Sequence, residues 1–180
     1  NSKIDSLQSV LNNERSEILR VDVLNQLFNA QYGEDLEKGL GYAKLAYQSA
    51  ISIKPQDNEA KRRISESANN VGAGHYLLDN YEKALEFLLI ALKTAEEIQD
   101  TNRMSNALFN LSNLYDYKGD LDKSVEYLLR AIDLARSLGD METVASGYAN
   151  LAATYFYIPD YERAVSYTHL RAHETESYRV

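Results

Sequence analysis

Apolar residues along this chain recur at helical spacing, and the whole pattern then recurs as a block. Leu108, Leu111, Ser112 and Tyr115 form one stripe at i, i+3, i+4 and i+7. Leu121, Ser124, Val125, Leu128, Ala131, Ile132 and Ala135 form the facing stripe. Two such stripes predict a pair of amphipathic helices packed on each other. Gly119-Asp120 separates them, and Gly139-Asp140 follows the second. Glycine is suited to end a helix and aspartate to cap the next, so these pairs mark turns between helices.

Sliding the chain by forty residues lays this hairpin on its neighbours. Asn70 meets Asn110 and Asn150, and His75 meets Tyr115 and Tyr155. Lys83 meets Lys123 and Arg163, Ala91 meets Ala131, and Asp100 meets Asp140. A fixed period in this range predicts a solenoid, in which function lies in a surface rather than in a catalytic pocket.

The chain before the clean repeats is helical too. Ile4, Leu7, Val10 and Leu11 share a face, with Asp5 or Ser6 available as a cap, and predict a short leading helix. A second helix is expected from about Ser16 to Tyr32, apolar at Ile18, Val21, Leu24, Leu27 and Phe28 and stopped by Gly33. Asp35 caps a third, which presents Leu36, Leu40, Ala43, Ala46 and Ala50 and runs to about Ile53. Lys54-Pro55-Gln56-Asp57 then interrupts the pattern, because proline cannot continue a helix interior. This first hairpin is offset by forty-five rather than forty (Gly39 to Ala84), the excess falling near Pro55.

These units resemble tetratricopeptide repeats. The family's hairpin pattern is carried by Asn110-Leu111-Ser112, Tyr115, Gly119-Asp120-Leu121, Ser124, Leu128 and Ala131, and before that by Val71-Gly72, His75, Tyr81, Ala84, Leu88 and Ala91. The resemblance implies an all-α fold, an α-solenoid of antiparallel helix hairpins wound as a right-handed superhelix. It covers about residues 20–164, in units of about 20–63, 64–103, 104–143 and a truncated 144–164. The family unit is usually about 34 residues; the longer period here comes from Glu97-Ile98-Gln99-Asp100 and Ser137-Leu138-Gly139-Asp140.

The register fails after Val165. The fourth unit should continue as Glu126 to Ala131 does, yet Arg171 falls at the small-residue position of Ala91 and Ala131. Val165-Ser166-Tyr167-Thr168-His169-Leu170-Arg171-Ala172-His173-Glu174-Thr175 resembles a translated sequencing adapter of the transposase type. Residues 165–180 are therefore expected to be an artefact tail, outside the repeat domain of residues 1–164. This removes His169, His173 and Glu174, whose spacing alone could suggest a metal site. The chain also opens at Asn1 without an initiator methionine, as an excised piece would.

Composition narrows the function classes. With 180 residues there is room for one ordinary domain. A formal charge of −8 disfavours nucleic-acid backbones and anionic membrane surfaces as partners. No apolar run is long enough to span a bilayer. Cysteine is absent, which excludes disulfides and thiolate metal sites. No cofactor or metal is expected. His75 lacks a partner nucleophile and is expected to be a packed, hydrogen-bonded core residue. Gly72-Ala73-Gly74 and Gly39-Leu40-Gly41 follow no strand and are expected to serve close helix packing rather than phosphate binding.

The candidate site lies on the far side of each first helix. Asn106, Asn110, Asn113 and Tyr117 follow i, i+4, i+7 and i+11, away from the core stripe. The sibling stripes are Glu66, Asn70, Ala73, Leu77 and Ser146, Asn150, Ala153, Tyr157, with Asn25 as a further rung. Family resemblance implies that first helices line a concave groove for a protein or extended peptide. A carboxamide offers one donor and one acceptor group, matching a peptide unit. Asn70, Asn110 and Asn150 are therefore expected to grip main chain, with Tyr117 and Tyr157 adding aromatic contact; the alternative is that the asparagines hold neighbouring hairpins together.

The leading helix and the Asp-ended connectors are also similar to the N-terminal sensory regions of bacterial signalling proteins. That likeness implies a non-catalytic sensory or interaction region of a larger protein, placed outside the cytoplasm. The alternative is a stand-alone cytoplasmic scaffold or peptide receptor.

Overall fold

Eight α-helices and no strand make up the described part of the computed structural model, which covers residues 2–14, 16–157 and 168–170. They are α1 (Ser2–Asn13), α2 (Glu17–Gln31), α3 (Leu36–Ser52), α4 (Asn58–Leu77), α5 (Tyr81–Glu97), α6 (Thr101–Tyr117), α7 (Leu121–Ser137) and α8 (Met141–Tyr157). Apart from the helical residues 168–170, the adapter-like tail lies outside the described residues. One boundary differs from the sequence reading. α1 starts at Ser2, so Asp5 sits inside its first turn instead of capping it, where its charge complements the helix N-terminus.

From α4 onward the connectors are built to one plan. Asp79, Gln99, Gly119 and Gly139 lie at intervals of twenty and all have positive φ, 58°, 54°, 74° and 72°. Each donates its N–H to the carbonyl three residues back (Tyr76, Glu96, Asp116 and Arg136) at 3.0 or 3.1 Å. The next residue in each case, Asn80, Asp100, Asp120 or Asp140, donates to the carbonyl five back (His75, Ala95, Tyr115, Ala135) at 2.8–3.0 Å. This pair of bonds is the Schellman closure, which satisfies carbonyls left over at a helix end. The three aspartates then start the following helix. Asp100 accepts from the Arg103 N–H at 3.1 Å, Asp120 from Lys123 at 3.3 Å and Asp140 from Thr143 at 3.1 Å. Asn80 makes no such side-chain bond. Asp35 and Asp57 cap α3 and α4 by the same chemistry, at 3.0 and 2.9 Å.

Two compact units divide the chain, Asn1–Arg103 and Met104–Val180. In the first, α2 packs on α3, α3 on α4 and α4 on α5, while α1 covers α2. Its core runs through Val21, Leu24, Leu27, Phe28, Leu40, Ala43, Ala46, Ile64 and Val71. The extra residues of the first hairpin form the loop around Pro55, which follows a cis peptide bond. In the second unit Leu128, Ile132 and Ala135 of α7 meet Val144, Tyr148, Leu151 and Tyr155 of α8.

Small residues bring helices within contact distance in both units. A Cβ at Gly72 would lie 2.7 and 2.8 Å from carbons of Leu88, and one at Gly147 would lie 2.5 and 2.9 Å from carbons of Ile132. Ser65 donates to the carbonyl of Ala91 at 2.9 Å, and Ser105 donates to Ala131 at 3.0 Å. Both partners of this bond recur at forty, so it belongs to the repeat.

Two stability predictions come from these connectors and contacts. Gln99 pays a steric penalty for its left-handed backbone that Gly119 does not, so Gln99→Gly should raise stability by about 1 kcal/mol. Gly119→Ala should lower it by a similar amount, and urea midpoints for the two variants moving in the same direction would contradict the account. Separately, the Ser124 hydroxyl is buried without a hydrogen-bond partner, where the preceding unit has Ala84. Ser124→Ala should stabilise by about 1 kcal/mol, because it removes an unsatisfied polar group.

Candidate functional site

The first helices of successive hairpins are joined side to side by polar bonds. In the first unit these join α2 to α4. Arg63 forms a fork with Asp22, Nε to Oδ1 at 2.8 Å and Nη2 to Oδ2 at 2.9 Å. That bond to Asp22 is the main influence raising the already high pKa of the guanidinium. Further along the same two helices, Asn70 donates to the Asn25 Oδ1 at 3.1 Å, and Asn25 donates to the Ser67 hydroxyl at 3.2 Å. Both asparagines are interior, 2% exposed at Asn25 and 7% at Asn70. Arg103 reaches back to Glu66 at 3.0 Å and to the Arg62 carbonyl at 3.0 Å.

The second unit joins α6 to α8 by the same type of bond. Asn150 donates to the Asn113 Oδ1 at 2.9 Å, and Thr154 donates to the Asp116 carboxylate at 3.0 Å. Here the joint is less covered. Asn110, Asn113 and Asn150 are half-buried, and Asn106 is exposed. Tyr117 at the end of α6 is 61% exposed, and Phe156 near the end of α8 is 64% exposed. The Asn113–Asn150 and Asp116–Thr154 bonds hold these two helix ends together. The result is a strip of carboxamides with an accessible aromatic side chain at the end of each helix.

The predicted ladder therefore divides into two environments. Asn70, with Asn25, sits in a buried joint where its carboxamide already has a protein partner. Asn106, Asn110, Asn113, Tyr117 and Asn150 share the α6–α8 strip. Tyr157 ends α8, but its side chain lies outside the described residues. Phe156 was not singled out from the sequence. It lies one position before the Tyr117-to-Tyr157 register, and no simple stripe count selects it.

The other candidates resolve into packing. Gly72-Ala73-Gly74 is mid-helix in α4, with Gly72 against Leu88 and Gly74 against Leu40 and Phe28. Gly39 meets Gln31 and Phe28, whereas Gly41 faces open space. His75 is buried at 4% exposure, as expected for a core residue, but its Nδ1 has no hydrogen-bond partner. The ring is instead stacked on Phe87, and a buried aromatic stack fills volume without supplying an acceptor. Burial first, then the charges of Lys44 and Lys83, push its pKa below the ordinary histidine value. His169 lies in the helical stretch 168–170, while His173 and Glu174 lie outside the described residues. Among the described residues, no group of three or more His, Asp or Glu side chains could hold a metal ion, and no helix is long and apolar enough to cross a membrane.

Comparison with known proteins agrees with this architecture. The sequence pattern of the tetratricopeptide repeat family matches residues 63–137. No curated protein matches the chain by sequence. A Rap protein complexed with competence and sporulation factor superposes with a TM-score of 0.87 at 17% identity, covering 98% of this chain and 49% of that one. Aspartyl phosphate phosphatase F from Bacillus subtilis gives 0.82 at 15% identity, over 94% and 44% of the two chains. A signal transduction ATPase with a tetratricopeptide repeat sensor from Pyrococcus horikoshii gives 0.76 at 22% identity, over 98% and 28%. The chain thus spans less than half the length of these three structures, and at these identities the likeness is one of fold.

The two environments make a direct prediction. Asn70→Ala leaves the Asn25 acceptor unpaired inside the protein and should cost about 2 kcal/mol. Asn110→Ala, at the matching but half-buried position, should cost less than half as much. Equal shifts in the urea midpoint would show that burial does not separate the two asparagines.

Proposed function

We propose that the chain, whose residues 63–137 match the tetratricopeptide repeat family, is a non-catalytic module that binds a protein or an extended peptide, and that the ligand lies along the α6–α8 strip. The observation that carries this reading is the pairing of accessible Tyr117 and Phe156 beside the bonded Asn113 and Asn150. Aromatic rings supply contact area at low entropic cost, and half-buried carboxamides supply donors and acceptors for main chain. Asn106 and Asn110 extend the polar row towards the start of α6. Asn70 serves this function indirectly, by fixing α4 against α2.

We further propose that the module is the sensory or interaction region of a larger signal-transduction protein. One observation supports this: the fold is shared with a Rap protein complexed with competence and sporulation factor and with a signal transduction ATPase that carries a tetratricopeptide repeat sensor. The formal charge of −8 makes nucleic acid an unsuitable ligand.

The test is a random-peptide display selection on the purified chain, followed by anisotropy titration of the enriched peptides. Tyr117→Ala should weaken binding about tenfold, roughly 1.4 kcal/mol, as expected for an aromatic anchor. Its melting temperature should stay unchanged, because the side chain is mostly in solvent. Enriched peptides that bind the variant as well as the parent would place the ligand elsewhere.

A further inference from the structure

The position of His75 is occupied by Tyr115 forty residues later, and its surroundings repeat with it. His75 stacks on Phe87, with ring centres 6.2 Å apart and planes at 22°. Tyr115 stacks on Tyr127, the residue matching Phe87, at 5.5 Å and 26°. A lysine recurs as well. The Lys123 ammonium lies 5.0 Å from the centre of the Tyr115 ring. Its counterpart Lys83 is one of two lysines whose charge acts on His75. The same ring stack has therefore been built around two different rings, each under the charge of a lysine.

The exchange of ring changes the physics. A phenol face attracts an ammonium, and tyrosine stays neutral up to about pH 10. An imidazole can take up a proton near pH 6.5, and the product repels the same ammonium. At His75 nothing is arranged to receive that proton. The side chain is buried, and Nδ1 has no hydrogen-bond partner. The charges acting on it from the packed helices are Lys44 of α3 and Lys83 of α5, both positive. Glu86 of α5 acts on Tyr47 of α3, which meets Phe87 edge-on from the other helix. His75 does lie in the last turn of α4, where the helix dipole favours a cation. Burial and the two lysines outweigh that benefit.

We propose that His75 is a proton-sensing position: protonation puts an imidazolium against Phe87 beside two ammonium groups and releases the packing of α4 on α5. The folded state resists the proton, so its pKa lies below the unfolded value of about 6.5. The stabilisation is complete above that unfolded value and is lost as the pH falls from it towards the folded one. The α6–α7 hairpin, with Tyr115 in this place, has no equivalent response.

The experiment compares amide-exchange protection factors in α4–α5 with those in α7 for the full chain, at about pH 7.5 and about pH 5, values on either side of the histidine range. In the parent, α4–α5 should lose several-fold more protection than α7 on acidification, because only the folded α4–α5 pair resists the proton. In His75→Tyr that excess should vanish, and in Lys83→Gln it should shrink. A proton NMR titration of His75 in the parent gives a readout that needs no variant to fold, and its midpoint should fall below that of an exposed histidine. The proposal is overturned if that midpoint is ordinary, or if His75→Tyr keeps the full acid excess. Acid loosening from the carboxylate pairs of α4, such as Asp22–Arg63, persists in His75→Tyr and is subtracted by that comparison.

Discussion

The fold from α4 onward depends on a three-residue joint in which one residue serves both the end of one helix and the start of the next. At 79–80, 99–100, 119–120 and 139–140, the left-handed residue and its successor close the finished helix with two backbone bonds. At three of these joints the successor also caps the next helix through its side chain. With no spare residue between helices, the direction of each helix is set by the conformation of its predecessor's last turn. The small-residue contacts at Gly72 and Gly147, and the Ser65 and Ser105 bonds, depend on that direction, since each requires two helices to meet at one spot.

That economy explains why the fold was readable so directly. Gly119-Asp120 and Gly139-Asp140 advertise the joint, and the apolar stripes on either side place the helices. The joints at Asp79 and Gln99 have the same geometry without glycine, so there the sequence shows only the period and not the turn. The start of α1 was misplaced for a related reason, because its first turn contains several residues able to act as a cap.

The site was less legible than the fold. A stripe count divides a helix into a core side and a water side. A first helix such as α4 buries a third side as well, against its counterpart α2 in the preceding hairpin. Asn70 lies on that third side, which is why a position that looks outward by periodicity is 7% exposed. Asn110 and Asn150 occupy the same sequence position and remain half-buried. His75 illustrates the same limit. Its alignment with two tyrosines showed that the ring belongs in the core, but only the coordinates showed an Nδ1 without a partner and two lysines acting on the ring.

The carboxamide joints also restrict how such a chain can change over time. Asn70 bonds to Asn25, which holds the matching position one unit earlier, whereas Asn150 bonds to Asn113, three residues beyond its match. The two interfaces thus use different registers of one chemistry. A unit copied, deleted or moved by recombination would bring a carboxamide to a neighbour with nothing at the required place. Shape alone would let the hairpins be shuffled like identical beads, but these bonds match α2 to α4 and α6 to α8 as particular partners.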